Sequence, residues 1–373
     1  MKLAGMTKAE LTRAAIVDAI VSRSRRSLSA STAEPDDAGL IVAPARHPLR
    51  WLVAALALVV ANIGTTAAEF AGIAAAAELL GLSRYVAVPL AALVVSLLVL
   101  RGSFHRVEHI LLALSAVFIA YVASGVLAHP DWSAAARGVV VPSMPLTRDA
   151  VLIATATIGT TLAPWGLSFI QSYAVDKRLT PDDLRYERVD VVTGSILTGV
   201  IGAFVVVACA ATLHVNGITI TDAADAARAL EPLAGRLASG LFAVGLLGAA
   251  LLAASILPLS TSYSVSEFIG AESALDDRLR DAPAFYATFG IVTAIGAGIV
   301  LIPGIPLVPV LVLSQVLNAV LLLPLLVAML RISRDRDLMG EHAAGPAMAA
   351  AYVVTIGAIA VCVGALLVLS IAT

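Results

Sequence analysis

The feature that most restricts the fold of this chain is a series of long apolar stretches with very few ionisable side chains inside them. A membrane-spanning helix needs about 20 mostly apolar residues. Hydrophobic residues make up 60% of the chain and charged residues 13%, against about 45–50% and about 25% in soluble domains. This composition excludes a soluble enzyme, a disordered chain and a disulfide-rich domain. Because aromatic residues are only 5% and the apolar runs are long, we predict an all-α polytopic membrane protein and not an outer-membrane barrel.

Nine segments are predicted as membrane-spanning helices. They are residues 51–80, 86–100, 107–128, 149–173, 190–213, 237–265, 284–302, 306–330 and 347–371. The segments that separate the first from the second span and the seventh from the eighth, 81–85 and 303–305, leave room only for tight turns. We therefore expect these neighbouring helices to run antiparallel.

The first 50 residues differ from the rest of the chain, because none of their apolar runs is long enough to cross a bilayer. Residues 22–37 are rich first in Ser and Arg and then in acidic residues and Pro, a composition typical of flexible segments. No apolar core follows the early basic residues, which argues against a signal peptide. We predict residues 1–50 as a polar, largely disordered tail and residues 51–373 as the transmembrane domain.

The distribution of Lys and Arg predicts the orientation in the membrane, because cytoplasmic loops carry an excess of these residues. If the N-terminus is cytoplasmic, the segments on the inside hold 19 of the 24 basic residues and those on the outside hold 5. No Lys or Arg falls within a predicted span. We therefore expect a multi-pass protein of the inner membrane with a cytoplasmic N-terminus.

Polar residues inside the first span form the clearest candidate functional stripe. Asn62, Thr65, Thr66 and Glu69 recur at three- and four-residue spacing, which places them on one helical face. Glu69 is an intramembrane acid, and such groups often belong to a proton or cation relay. The alternative is a carboxylic acid kept neutral, or one hydrogen-bonded near the outer interface.

The fourth span contains a predicted helix break at Pro164. Proline has no N–H, so the carbonyl of Thr160 loses its helical partner. Gly159 and Gly166 flank the break. A broken helix at the membrane midplane can present bare carbonyls to a cation. A proline kink whose backbone is satisfied by neighbouring hydroxyls is the equally weighted alternative.

The eighth span carries Ser314, Gln315 and Asn318, whose spacing places the two amides on one face. An amide can offer a carbonyl oxygen to an ion, but on spacing alone interhelical hydrogen bonding explains such residues as well. The sixth span ends in a Pro- and hydroxyl-rich segment, 258–264, which could line water or satisfy backbone groups.

Catalytic and nucleotide-binding motifs are absent from the sequence. It contains no Walker loop, no HExxH and no GxSxG. A formal net charge of −2 gives no indication of a nucleic-acid partner. A secondary transporter, and not an enzyme, is therefore the reading that the residues favour.

Five short segments occur in an order and spacing that a known family shares. They are 64–72 (Gly-Thr-Thr-Ala-Ala-Glu-Phe-Ala-Gly), 129–132 (His-Pro-Asp-Trp), 139–142 (Val-Val-Val-Pro), 163–165 (Ala-Pro-Trp) and 313–316 (Leu-Ser-Gln-Val). From about residue 51 to its C-terminus, the chain resembles the NRAMP family of proton-coupled divalent metal transporters.

The resemblance implies a leucine-transporter-type fold of two inverted repeats, in which the nine predicted spans correspond to the family's third to eleventh helices. The implied metal ligands are Thr160 and Ala163 on the broken helix and Gln315 and Asn318 on the eighth span. The implied proton or charge pathway is Glu69 and Thr66, although Thr66 stands where other members have an acid. The implied hinge is Gly159, Pro164, Trp165 and Gly166.

Two departures from the family pattern affect the expected substrate. Ala163 replaces the methionine whose sulfur favours soft transition metals, so an oxygen-only site suits Mg²⁺, with Mn²⁺ as the other candidate. This context is closer to the NRAMP-related magnesium transporters. The Asp-Pro-Gly-Asn motif of the family's first helix does not occur, so we expect the first two helices to be missing or replaced.

The sequence therefore predicts a secondary transporter that moves divalent cations by alternating access, with proton coupling left open. The metal is the substrate, and no cofactor is expected. The expected partners are the cation and the lipid bilayer. Two alternatives remain open: an amino-acid or cation transporter of the same fold, and a degenerate, non-transporting fragment.

Overall fold

The structure is a computed structural model that describes residues 48–100, 116–141, 145–176, 183–269 and 282–372, with the single positions 113, 180 and 271. Within these ranges it contains helices and turns but no strand. The main helices are α1 (Pro48–Leu79), α2 (Arg84–Leu100), α3 (Ala120–Leu127), α4 (Trp132–Val140), α5 (Arg148–Thr161), α6 (Pro164–Asp176), α7 (Leu184–Cys209), α8 (Ala238–Ile269), α9 (Pro283–Val300), α10 (Leu307–Arg334) and α11 (Pro346–Ala372).

Seven helical segments are long and apolar enough to cross a membrane, by length and composition. They comprise α1, the broken pair α5–α6, α7, α8, α9, α10 and α11. Helix α2 and the stretch Ala116–Leu127 are apolar but shorter. Where the chain is described, each of the nine predicted spans is thus helical apart from residues 162–163 and a few residues at the ends of spans. Most of 107–115, and the predicted tail up to residue 47, lie outside the described residues.

The predicted tight turns are confirmed, and each contains a glycine in the left-handed region. Gly81 has φ 77° and Gly304 has φ 80°, a conformation that costs glycine little. The Arg84 guanidinium donates to the Ile305 carbonyl oxygen at 3.5 Å. The C-terminal ends of α1 and α9 therefore lie on the same side, and these two helices run parallel.

Helix α4 lies in the segment 129–148, which separates the third predicted span from the fourth. The Asp131 carboxylate caps this helix by accepting from the backbone N–H groups of Ser133 and Ala134 at 2.9 and 3.0 Å. We predicted no helix in this segment. At the end of α7, Ala210–His214 forms a π-helical turn that the sequence did not predict either.

Helix α1 is the centre of the bundle and packs against α8, α9 and α10. Small residues allow this close packing, because a Cβ on Gly72 would lie 3.3 Å from the Ala250 Cβ of α8. Around it, Phe70, Ile73 and the α9 residue Phe285 are buried in the main apolar core. The helix with the strongest polar stripe is therefore packed on several sides by other helices.

Helix α7 has the opposite environment. Every residue from 184 to 200 is exposed, and residues 191–200 carry no charged side chain. Hydrocarbon solvates such a surface, so the exposure agrees with a position at the lipid boundary. The helix is attached through α3, where a Cβ on Gly125 would lie 2.9 Å from Cδ1 and 3.3 Å from the carbonyl oxygen of Phe204.

This contact gives a stability prediction. We expect Gly125→Val to destabilise the protein by about 1–3 kcal/mol, because the added methyl groups would overlap both the ring and the backbone of Phe204. Gly202→Val on α7 is the matched control, since nothing lies within 4 Å of its Cβ position. Thermal unfolding in detergent measures both, and equal midpoints for the two variants would contradict the packing described here.

Candidate functional site

The predicted helix break is present between α5 and α6. Helix α5 ends at Thr161, Leu162 has φ −120° and ψ 71°, and α6 begins at Pro164. The Ala163 carbonyl oxygen accepts from the Gly166 N–H at 3.1 Å. The Thr160 carbonyl has no helical partner, since the residue four positions later is the proline.

Gly159 fixes the position of this break against α10. An added Cβ would overlap the Gln315 carbonyl oxygen and lie 2.8 Å from the Ala319 nitrogen. The backbones of α5 and α10 are thus in direct contact two residues before α5 ends. The resemblance implies that Gly159 belongs to a hinge, and in the structure this residue lies in a tight packing contact with α10.

The two predicted amides of α10 meet each other and α1. Asn318 Nδ2 donates to Gln315 Oε1 at 3.0 Å and to Thr65 Oγ1 at 3.1 Å. Gln315 Nε2 donates to Ser314 Oγ at 3.1 Å. Asn318 is fully buried and Gln315 is half-buried. Asn318 therefore makes the interhelical hydrogen bond that we kept as an alternative. Gln315 lies directly beside Asn318.

The polar stripe of α1 is divided among three neighbouring helices. Thr65 contacts Asn318 of α10, while Asn62 Nδ2 donates to Thr261 Oγ1 of α8 at 2.9 Å. Thr66 lies against α9, where a Cβ on Gly296 would be 2.7 Å from its Cγ2. Asn62, Thr65 and Thr66 are all 3% exposed or less, so their predicted common face is buried by three helices at once.

Glu69 lies one turn beyond Thr65 and Thr66 on α1 and is partly buried. Its carboxyl group has no hydrogen-bond or ion-pair partner among the residues that the structure describes. Neither Glu69 nor Thr66 belongs to the amide pair of α10.

Helix α6 is attached to α8 through contacts that the sequence did not reveal. The Trp165 carbonyl oxygen accepts from Ser260 Oγ at 3.1 Å, and Ser172 Oγ donates to Glu267 Oε1 at 2.6 Å. At the start of α6, Pro164 is buried, whereas the Cβ position of Gly166 is open. Only the hydroxyl-rich end of α8 suggested such a contact, and sequence alone does not say which helix it meets.

The oxygen atoms that this arrangement can offer to a cation are uncharged. No group of three or more His, Cys, Asp and Glu side chains that could hold a metal occurs among the described residues. The nearest set consists of the Gln315 amide, with Asn318 beside it, and the carbonyls of the break that follows Gly159. The Thr160 side chain is exposed and Ala163 is half-buried, so their backbone groups are the relevant donors.

The contact at Gly159 gives a second stability prediction. We expect Gly159→Ala to destabilise the protein by about 1–3 kcal/mol, because the new methyl group forces α5 away from α10. Gly357→Ala on α11 is the control, as its Cβ position is open and alanine favours a helix. Thermal unfolding of both variants checks this. A Gly159→Ala midpoint at or above that of the wild type would show that the two backbones are not in contact.

Known proteins resemble this chain over most of its length. The divalent metal cation transporter MntH of Clostridium acetobutylicum is 28% identical over 231 residues, which are 60% of this chain and 51% of the relative. MntH 1 of Pseudomonas aeruginosa is 31% identical over 317 residues, 78% of this chain and 67% of the relative. MntH of Granulibacter bethesdensis is 25% identical over 319 residues, 79% and 66% of the two chains.

The matched regions thus span about half to two thirds of the length of these relatives. The family model described as "Natural resistance-associated macrophage protein-like" matches residues 36–369. Because this match covers nearly all of the transmembrane domain, the chain belongs to the Nramp family of polytopic helical membrane proteins.

Proposed function

We propose that this chain acts in the transport of a divalent metal cation, Mg²⁺ or Mn²⁺, by alternating access. The observation that carries the proposal is the backbone contact between Gly159 and Gln315, which brings a broken helix to a polar amide in the middle of the bundle. Relatives over most of the chain are named as divalent metal cation transporters, which supports the same class of substrate.

The proposed ligands are neutral oxygen atoms on two helices. Gln315 Oε1 and the carbonyls of Thr160 and Ala163 are the donors, with Asn318 beside them. Gln315 Oε1 accepts from Asn318 Nδ2 in this structure, so a bound cation would replace that hydrogen bond while Asn318 keeps Thr65. Oxygen ligands suit Mg²⁺ and Mn²⁺, and Mg²⁺ usually retains several waters.

The proposed movement is a rocking of α5 and α6 against a bundle that includes α1, α2, α3 and α8. Helix α6 contacts α8 through the hydrogen bonds Ser260–Trp165 and Ser172–Glu267 and through the ring pair Phe169–Tyr263. Pro164, Trp165 and Gly166 are the residues at which α6 would turn, with Gly159 of α5 as the fixed point against α10. The basic residues favour a cytoplasmic N-terminus in the inner membrane, with 19 of 24 in the inside segments.

Replacement of Gln315 tests the proposed metal site. We expect Gln315→Ala to lower Mn²⁺ uptake into liposomes by about tenfold or more, because a lost charge-assisted contact costs about 1.5–3 kcal/mol. Thr355→Ala is the control, since its hydroxyl is exposed on α11 and donates only to the Ala351 carbonyl. Unchanged uptake by a folded Gln315→Ala protein would exclude this ligand.

Replacement of Glu69 tests the proposed charge pathway, in which Thr66 lies one turn before the acid. We expect Glu69→Gln to reduce the proton movement that accompanies metal uptake, measured with a pH-sensitive dye inside the liposomes. Glu78→Gln is the matched control on the same helix, where the exposed carboxylate pairs with Arg84 at 2.5 Å. Equal proton movement in the Glu69→Gln protein and the wild type would remove Glu69 from the pathway.

A further inference from the structure

Several polar atoms deep in the bundle have no hydrogen-bond partner. Among the described residues they are Asn62 Oδ1, Thr66 Oγ1 and Thr293 Oγ1, together with Ser266 Oγ farther along α8. Asn62 and Thr66 are 0% exposed and Thr293 is 3% exposed. An unsatisfied polar group in an apolar interior costs free energy, and native structures usually satisfy such groups with protein or ordered water.

The first three of these atoms lie at one junction of α1, α8 and α9. Helices α1 and α9 run parallel, and Thr66 lies directly against Gly296. Thr293 precedes Gly296 by one turn, and Asn62 precedes Thr66 by one turn, so these two side chains are at similar depth. Asn62 also donates to Thr261 of α8. We name Asn62, Thr66, Thr261 and Thr293 the junction residues.

The hydroxyls of Thr66 and Thr293 differ from those of other buried threonines in the bundle. Thr65, Thr155 and Thr261 each donate to the carbonyl oxygen four residues earlier in their own helix. This is the usual way for a helical threonine to satisfy its hydroxyl. Thr66 and Thr293 make no such bond within the described residues, so their hydroxyls are available to a group at the junction.

We infer that the junction residues bind ordered water, one or two molecules held between α1, α8 and α9. Water fits because it donates to Asn62 Oδ1 and both donates to and accepts from the hydroxyls of Thr66 and Thr293. A buried water typically makes about three hydrogen bonds, which is the number of free groups here. A metal ion fits less well, since the three atoms are neutral and a hard cation takes about six oxygen ligands.

The water site is separate from the proposed metal site. The α1 side chains of the water site, Asn62 and Thr66, face α8 and α9. The metal site lies toward α10, where Thr65 of α1 contacts Asn318. The site therefore needs no transported cation to be filled, and the inference does not depend on the proposed function. On this inference, α1 contacts α8 and α9 partly through bound water, whether or not a cation is present.

Valine substitutions test the inference, because valine keeps the shape of threonine without its hydroxyl. We expect Thr66→Val and Thr293→Val each to lower the midpoint of thermal unfolding by about 2–4 °C. The double variant should lower it by less than the sum, since either substitution alone disturbs the shared water. Thr293→Ser should retain more stability than Thr293→Val. The matched control is Thr288→Val on α9, whose hydroxyl already donates to the Ala284 carbonyl.

Three results would overturn the inference. An unchanged or raised midpoint for the valine variants would show that the junction is dry, because removing an unsatisfied hydroxyl then costs nothing. Fully additive losses would show that the two hydroxyls do not share a ligand. A wild-type midpoint that rises when choline is replaced by Na⁺, and no longer does so in the double variant, would identify a cation instead. If a variant fails to fold, a density map of the wild-type protein that resolves ordered water decides the question. Water between the junction residues would support the inference, and its absence there would overturn it.

Discussion

The hydrogen bonds that α1 makes with its neighbours are the interactions on which the rest of this bundle depends. Asn62 joins α1 to α8 through Thr261, and Thr65 joins it to α10 through Asn318. Hydrocarbon offers no competing donors or acceptors, and apolar surface gives little preference for one helix arrangement over another in lipid. Buried polar pairs and small residues such as Gly72 therefore determine which helices meet and at what height.

The candidate metal site follows from this arrangement. Asn318 is held by Thr65 and in turn holds the Gln315 amide, while Gly159 allows the backbone of α5 to touch α10 beside it. Pro164 then interrupts α5 and α6 at this level. The central helix, the amide pair and the broken helix thus form one connected structure, in which small residues matter as much as polar ones.

The sequence predicted the helices better than it predicted their contacts. Apolar length predicted the spans, the missing N–H of Pro164 predicted the break, and three-residue spacing brought Gln315 and Asn318 together. These are local properties of the chain. The packing role of Gly159 and the bond from Ser172 to Glu267 join segments far apart in sequence, and no periodicity within one helix encodes its neighbour. Helix α4 was missed because it is too short to leave an apolar signal.

The most direct test of the central claim is anomalous X-ray diffraction from crystals of the full chain soaked in Mn²⁺. We expect an anomalous peak between the Gln315 side chain and the carbonyls of residues 160–163, with Asn318 turned away from Gln315. A peak on Glu69, or the absence of any peak between α5 and α10 in crystals that bind Mn²⁺ elsewhere, would contradict it.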